Sequence, residues 1–227
     1  MTVFTRVLIN PRTRGGAKLL TNPQAMHAAV RAAFPPDLDE SKGRVLWRVD
    51  KHGEEYLLYI VGPEKPTTRH IVEQAGWETR PGESADYGRM LDSLMKGQRW
   101  RFELVANPTY SEPTPGGRGK VKAHVSAAHQ LQWLYGKAEK VGFALTPLDA
   151  SDERWALDDA PKILERSTEH FYRGEDKGGR AVRIVKARFA GTLEITDPSA
   201  LRSTLIGGIG RARAYGCGLL TLAKADG

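Results

Sequence analysis

The run Gly207-Gly208-Ile209-Gly210-Arg211-Ala212-Arg213-Ala214-Tyr215-Gly216-Cys217-Gly218 restricts the fold more than any other part of this chain. Five glycines and two arginines fall within a few turns of backbone, without an acidic side chain. Glycine reaches backbone conformations closed to other residues and lets the main chain approach a neighbour or a ligand closely. The apolar Leu219-Leu220-Thr221-Leu222 that follows reads as a buried strand, so the loop is anchored between packed elements. Successive N–H groups in such a loop form a concavity for an anion, and arginine forks match phosphate geometry. The expectation is an anion-binding loop with Gly208, Gly210, Gly216 and Gly218 as its backbone and Arg211 and Arg213 as donors. A tight turn before the last strand is the plainer reading of the same glycines.

Charge is distributed in keeping with that loop. The 34 Lys and Arg exceed the 27 Asp and Glu, giving a net charge of +7, a balance that favours polyanionic partners, nucleic acid first. Residues 1–36 carry Arg6, Arg12, Arg14, Lys18 and Arg31 and no acid, and residues 198–222 carry Arg202, Arg211 and Arg213 and no acid. Acids gather at Asp149, Asp152, Glu153, Asp158 and Asp159. This separation predicts a one-sided positive face. Cys217 is the only cysteine, which rules out an intrachain disulfide and a thiolate metal cluster and fits a reducing cytoplasm. No apolar run approaches the roughly 18 residues of a membrane span, and no charged-then-apolar leader is present, so no membrane association is expected. His, Asp and Glu show no metal-ligand spacing, so neither a metal nor a cofactor is expected.

Along the chain, Val3 to Ile9 predicts a strand, followed by a basic turn at Arg12-Thr13-Arg14-Gly15-Gly16. Asn22-Pro23 starts a helix through Met26, Val30 and Ala33 that Pro35-Pro36 stops. Arg44 to Asp50 predicts a partly buried strand with Val45, Trp47 and Val49 on one side and Arg44, Leu46 and Arg48 on the other. Glu55 to Val61 predicts its hairpin partner, residues 64–82 carry no readable pattern, Ser84 to Lys96 a helix, and Gln98 to Ala106 a further strand. The order β-α-β-β-α-β over residues 1–107 is ferredoxin-like. Residues 108–119 are rich in Pro and Gly and read as a linker. The pattern then recurs over residues 120–227. It runs through a strand at Lys120 to Val125, a Ser126-capped helix to Val141 and a strand at Phe143 to Leu148. A long hairpin with arms Glu169 to Arg173 and Ala181 to Thr196 follows, then a helix at Pro198 to Ile206 behind Asp197, and the closing strand. The fold class is α+β, with tandem ferredoxin-like domains.

Three segments then coincide in order: Val7-Leu8-Ile9-Asn10-Pro11 with Asn22-Pro23-Gln24-Ala25-Met26-His27; Arg101-Phe102-Glu103-Leu104-Val105-Ala106-Asn107-Pro108; and Gly208-Ile209-Gly210-Arg211-Ala212 through Tyr215-Gly216-Cys217-Gly218-Leu219. With Trp133-Leu134 leading into Gly142-Phe143, they resemble the CasE family, the CRISPR repeat-processing endoribonucleases of type I-E systems. The resemblance implies two RNA-recognition-like domains, binding of a CRISPR repeat RNA hairpin, and one metal-independent cut at the 3′ side of the stem. It also implies retention of the product within Cascade beside other subunits.

The family's active-site histidine maps onto His27, and an imidazole near the start of a helix, one turn from a basic loop, serves proton transfer at neutral pH. Gln24 stands where many members of the family carry a tyrosine, and an amide orients a phosphate or hydroxyl but shuttles no proton. The resemblance places the assisting cation on the basic hairpin, where Lys177 is the expected residue and Arg180 the reserve, with Arg173 and Arg183 gripping the stem. Arg12, Arg14 and Lys18 are expected to track phosphates with Arg211 and Arg213. Two other readings stand beside this one: a non-catalytic RNA-binding subunit, which Gln24 favours, and a small-molecule phosphate enzyme, which lacks a phosphate-binding or dinucleotide fingerprint.

Overall fold

The computed structural model of the chain describes residues 2–39, 41, 43–147, 159–173 and 180–224. In the first half run β1 (Val3–Ile9), α1 (Arg14–Thr21), α2 (Pro23–Arg31), β2 (Leu46–His52), β3 (Glu55–Gly62), α3 (Arg69–Ala75) and β4 (Glu83–Asp86). A short α4 (Gly88–Asp92) leads to the second half: β5 (Arg99–Ala106), β6 (Thr109–Thr114), β7 (Gly117–Ala123), α5 (Ala127–Ala138), β8 (Phe143–Leu145), β9 (Lys162–Arg173), β10 (Arg180–Ile195), α6 (Pro198–Gly207) and β11 (Leu220–Lys224).

The first sheet has the order β2-β3-β1-β4 and the second β11-β5-β10-β8. Each places its last strand beside its first; β1 also lies beside β3 and β5 beside β10, to which β9 adds a fifth strand off this path. That is the ferredoxin-like arrangement, here twice in tandem. The helix-start signals hold at atomic level. Asn22 accepts from the N–H groups of Gln24 and Ala25 with Pro23 in the first turn, and Asp197 does the same for Ser199 and Ala200 ahead of Pro198. Ser126 caps α5 through the N–H of His129.

Strand pairing corrects the expected division of the chain. β5 does not close the first sheet; it pairs with β10 and β11 and is the first strand of the second. The closing strand of the first sheet is β4, inside the segment read as a helix, where it pairs with β1. The passage between sheets therefore falls between residues 86 and 99, ahead of the expected boundary at 107. The linker expected at 108–119 carries β6 and the start of β7, which form a hairpin of their own between β5 and α5. The cause is physical. β4 is a four-residue edge strand, exposed throughout, so it needs no apolar alternation. In the unreadable segment α3 turns Ile71, Val72 and Ala75 inward on barely two turns.

Each sheet has its own core. Ile9, Met26, Val30, Trp47 and Ile71 fill the first, while Phe102, Leu134, Phe143, Phe189 and Leu205 fill the second. Between them lies a buried polar junction. Arg48 of β2 donates to Asp50 Oδ1 and Oδ2 at 2.8 and 2.6 Å within its own strand. Its remaining N–H groups reach across to the carbonyls of Glu103 and Leu219 at 2.8 and 3.1 Å and to Thr221 Oγ1 at 2.8 Å. Arg188 of β10 returns the contact, donating to Asp50 Oδ1 at 2.6 Å, to the Val49 carbonyl at 3.0 Å and to Glu103 Oε2 at 3.1 Å. Arg48 and Asp50 are 2% and 3% exposed. The expected two-sided pattern of β2 is thus reshaped: Trp47 enters the first core, and Leu46, Arg48 and Asp50 are buried by the second half.

Burial alone would raise the Asp50 carboxyl, but the guanidinium groups of Arg48 and Arg188 outweigh it and hold it below its ordinary 3.8. A group that is more acidic folded than unfolded contributes stability above its unfolded value, and loses that contribution as pH falls through its depressed one. Asp50→Asn is therefore expected to flatten the acid limb of a pH–stability curve below 3.8; a curve with the wild-type slope there would contradict the assignment. Arg48→Met leaves the buried Asp50 carboxylate with Arg188 as its remaining guanidinium partner and is expected to cost about 3–5 kcal/mol in denaturant unfolding.

Candidate active site

α2 presents two faces. Met26, Ala29 and Val30 are buried in the first core, and the Ala29 carbonyl is held by His70 Nε2 at 2.8 Å. Gln24, His27 and Arg31 share the other face by helical spacing, all three half-buried. That face meets the second half of the molecule. The imidazole of His27 lies 6.0 Å from the ring of Tyr215, centroid to centroid, with the planes tilted by 56°. Tyr215 in turn lies 4.7 Å from Phe171 of β9. His27 is thus neither sunk in an apolar interior nor turned away from the basic segments. The glycine-rich loop reaches His27 through Tyr215, and the long hairpin reaches Tyr215 through Phe171.

The loop itself differs from the expected open cradle. The N–H of Gly208 is bonded to the Thr204 carbonyl and that of Gly218 to the Val105 carbonyl, both at 2.7 Å, and Ile209 N–H binds the Gly218 carbonyl at 2.9 Å. Those donors are used inside the fold. Gly216 and Gly218 are buried. Gly216 sits at φ +75°, and a Cβ there would lie 2.7 Å from Cζ3 of Trp47. Glycine is required at 216 by the close approach of the loop to an aromatic ring. Trp47 Nε1 also donates to the Ala214 carbonyl at 3.2 Å, so one first-half side chain grips the loop at two points.

Anion-seeking groups come from side chains instead. Arg211 is exposed and Arg213 half-buried. Burial, and then the neighbouring charge of Arg44, lowers the Arg213 guanidinium below its ordinary value, and Arg213 Nε is buried with no hydrogen-bond partner. Arg12, Arg14 and Lys18 are exposed; Arg14, expected in a basic turn, opens α1, which also carries Lys18. Arg183 is exposed on β10, opposite His170 of β9. Arg173 and Arg180 are the matched pair of the hairpin rung nearest its tip. Lys177 lies outside the described residues.

A cleft of about 360 Å³ runs between α1–α2 and the hairpin, with Met26, Lys51, Glu169 and Lys186 among its walls. Lys186 Nζ donates to Glu169 Oε1 at 2.8 Å and to the Tyr215 carbonyl at 2.7 Å. The sequence reading missed Lys186, Glu169 and Arg44 as parts of this site. Their partners lie far off in sequence, so only folding brings them together. Tyr215 stood within a quoted motif, but nothing local marked it as the neighbour of His27. Cys217 is fully buried and its thiol is pushed up to about 12, by burial first, so it is a packed residue rather than a nucleophile. Among the described residues no group of three His, Cys, Asp or Glu side chains is arranged to hold a metal ion.

Fold and site together define a tandem ferredoxin-like protein with an imidazole held at the junction of its halves. A family model described as CRISPR associated protein matches residues 3–224, and the chain belongs to that family, in its CasE/Cse3 branch. It is 28% identical over 223 residues to the CRISPR-associated endoribonuclease Cse3 of Thermus thermophilus, spanning 97% of this chain and 99% of that protein. With the Cascade subunit CasE of Escherichia coli K12 it shares 26% identity over 180 residues, 74% of this chain and 81% of CasE. A solved structure of Cse3 bound to a 19-nucleotide RNA is similar with a TM-score of 0.75 and 28% identity, over 98% of this chain and 99% of that one. A structure of Thermus thermophilus Cse3 with an RNA representing a pre-cleavage complex gives 0.74 at 27% identity, over 98% of each chain.

Gly216→Ala is expected to lower stability by about 1–3 kcal/mol, because the left-handed backbone and the Trp47 ring both oppose a Cβ. Thermal melts read this, and a wild-type melting temperature would remove the packing role given to Gly216.

Proposed function

We propose that this protein is a metal-independent endoribonuclease that cuts precursor CRISPR RNA at the 3′ side of the repeat stem-loop. In this reading it leaves a 5′-hydroxyl and a 2′,3′-cyclic phosphate or 3′-phosphate. It then stays on the mature guide RNA and assembles with other Cascade subunits in the cytoplasm. The observation that carries the proposal is the meeting of His27 with Tyr215 and the long hairpin, in a chain similar over nearly its full length to RNA-bound Cse3.

RNA brings its own nucleophile, the 2′-hydroxyl beside the scissile phosphate. Its oxygen forms a bond to phosphorus as the bond from phosphorus to the 5′-oxygen breaks. One proton leaves the 2′-hydroxyl and one arrives at the 5′-oxygen. An imidazole serves either transfer, and the chemistry needs no metal in principle. His27 takes that role here, with Gln24 one helical turn away to orient a hydroxyl or phosphate oxygen. Lys186 is held by Glu169 and the Tyr215 carbonyl, so it braces the site rather than meeting a phosphate. The assisting cation is assigned to the hairpin tip, Lys177 with Arg180 in reserve. β9 runs to Arg173, two residues beyond Phe171, which packs on Tyr215. Arg12, Arg14, Lys18, Arg44, Arg211 and Arg213 track the phosphates, while Arg173 and Arg183 grip the stem. A non-catalytic RNA-binding subunit is the second reading, favoured by Gln24 alone.

The test is incubation with a cognate repeat hairpin in EDTA, beside His27→Ala. Wild type is expected to cut, and the variant to cut about 10²–10⁴-fold more slowly with unchanged affinity. Tight binding without cutting by wild type would support the second reading, and no hairpin binding would end both. In a salt titration, Arg213→Gln is expected to shallow the log–log slope of affinity by about 0.7–0.9, the loss of one phosphate contact. An unchanged slope would remove Arg213 from the interface.

A further inference from the structure

We propose that Tyr215 is a positioning residue of the cleavage centre, whose ring fixes the orientation of the His27 imidazole from the opposite half of the molecule. This rests on the functional reading above and adds a residue to it. The phenol ring has two ring partners: His27 at 6.0 Å and 56°, and Phe171 at 4.7 Å and 58°. Tilted pairs at centroid separations of about 4.5–7 Å are the favoured aromatic geometry.

The backbone beneath the ring is held from both halves. Its own carbonyl accepts from Lys186, itself bonded to Glu169. The preceding carbonyl accepts from Trp47, and the following residue, Gly216, packs against the Trp47 ring in a left-handed conformation. Ala212, at φ 58°, is the one positive-φ residue other than glycine among the described residues. A non-glycine residue in that region is strained and persists only where its surroundings enforce it. A ring mounted on so constrained a loop presents a fixed surface to the imidazole.

The helix alone does not provide this. α2 fixes the backbone of His27, but rotation of the ring about χ2 is soft, and only a neighbour narrows it. On the same helical face, Gln24 offers a flexible amide whose Oε1 is buried without a hydrogen-bond partner. Proton transfer demands hydrogen-bond reach of about 2.6–3.2 Å. A misplacement of about 1 Å costs up to about 10²-fold in rate.

The experiment combines single-turnover cleavage, equilibrium RNA binding and proton NMR of the His27 ring in RNA-free protein, for Tyr215→Phe and Tyr215→Leu. Tyr215→Met is a second ringless variant should the leucine variant fail to fold. The ringless variant is expected to cut about 10–100-fold more slowly than wild type, with affinity changed by less than about twofold. Its His27 ring signals should lose the ring-current shift of the neighbouring phenol. Tyr215→Phe should keep both the rate and the shift. The proposal is overturned by a phenylalanine variant as slow as the ringless one, by a ringless variant with full rate, or by a loss confined to RNA binding. If wild-type protein does not cut, the functional reading fails, and unchanged His27 signals in the ringless variant would still refute the positioning role on their own.

Discussion

The junction of buried Arg48 and Asp50 with half-buried Arg188 and Glu103 is the constraint on which the rest of this structure depends. A ferredoxin-like sheet has one face covered by helices and one face open, and this chain carries two of them. What fixes their relative angle is a set of directional bonds from guanidinium groups to carbonyls and carboxylates on the other half. Apolar contact alone tolerates sliding; charge-assisted hydrogen bonds at 2.6–3.1 Å do not. Such a junction gives little net stability for its desolvation cost. Its consequence here is geometric, since the distance from α2 to the glycine-rich loop follows from how β2 is seated against β5, β10 and β11.

The loop then turns that seating into a site. Trp47 reaches it from the first half and Lys186 from the second, so residues 212–218 form a strap between them rather than a free phosphate cradle. The glycines let the strap lie flat against an indole. The arginines at its outer edge carry the charge, and the tyrosine at its centre faces the histidine. One segment thereby serves packing, electrostatics and positioning together.

Much of this was legible in the chain. Asn22-Pro23 and Asp197-Pro198 mark helix starts because capping is local chemistry, independent of the fold around it. The long strands announce themselves by apolar alternation, and the ordered motifs carry the resemblance to the CasE family. What was misread is what local pattern does not encode. β4 is short and exposed, so Ser84 to Asp86 shows no strand signal. β5 has one sequence in either sheet, and only pairing with Ala187 to Glu194 of β10 assigns it. Arg48 reads as a solvated strand residue until the second half buries it.

Local sequence is enough for the capped helices, the long strands, the family, and the histidine on which the proposed chemistry turns. These follow from propensities, caps and motifs that act over a few residues. Tertiary structure alone decided which strand belongs to which sheet, which side chains of β2 are buried, and that Tyr215 stands against His27 across 188 positions of chain. The physical reason is that burial and directional bonds between distant segments are properties of the packed whole. A glycine that reads as an anion cradle becomes a seat for an indole once that indole is in place.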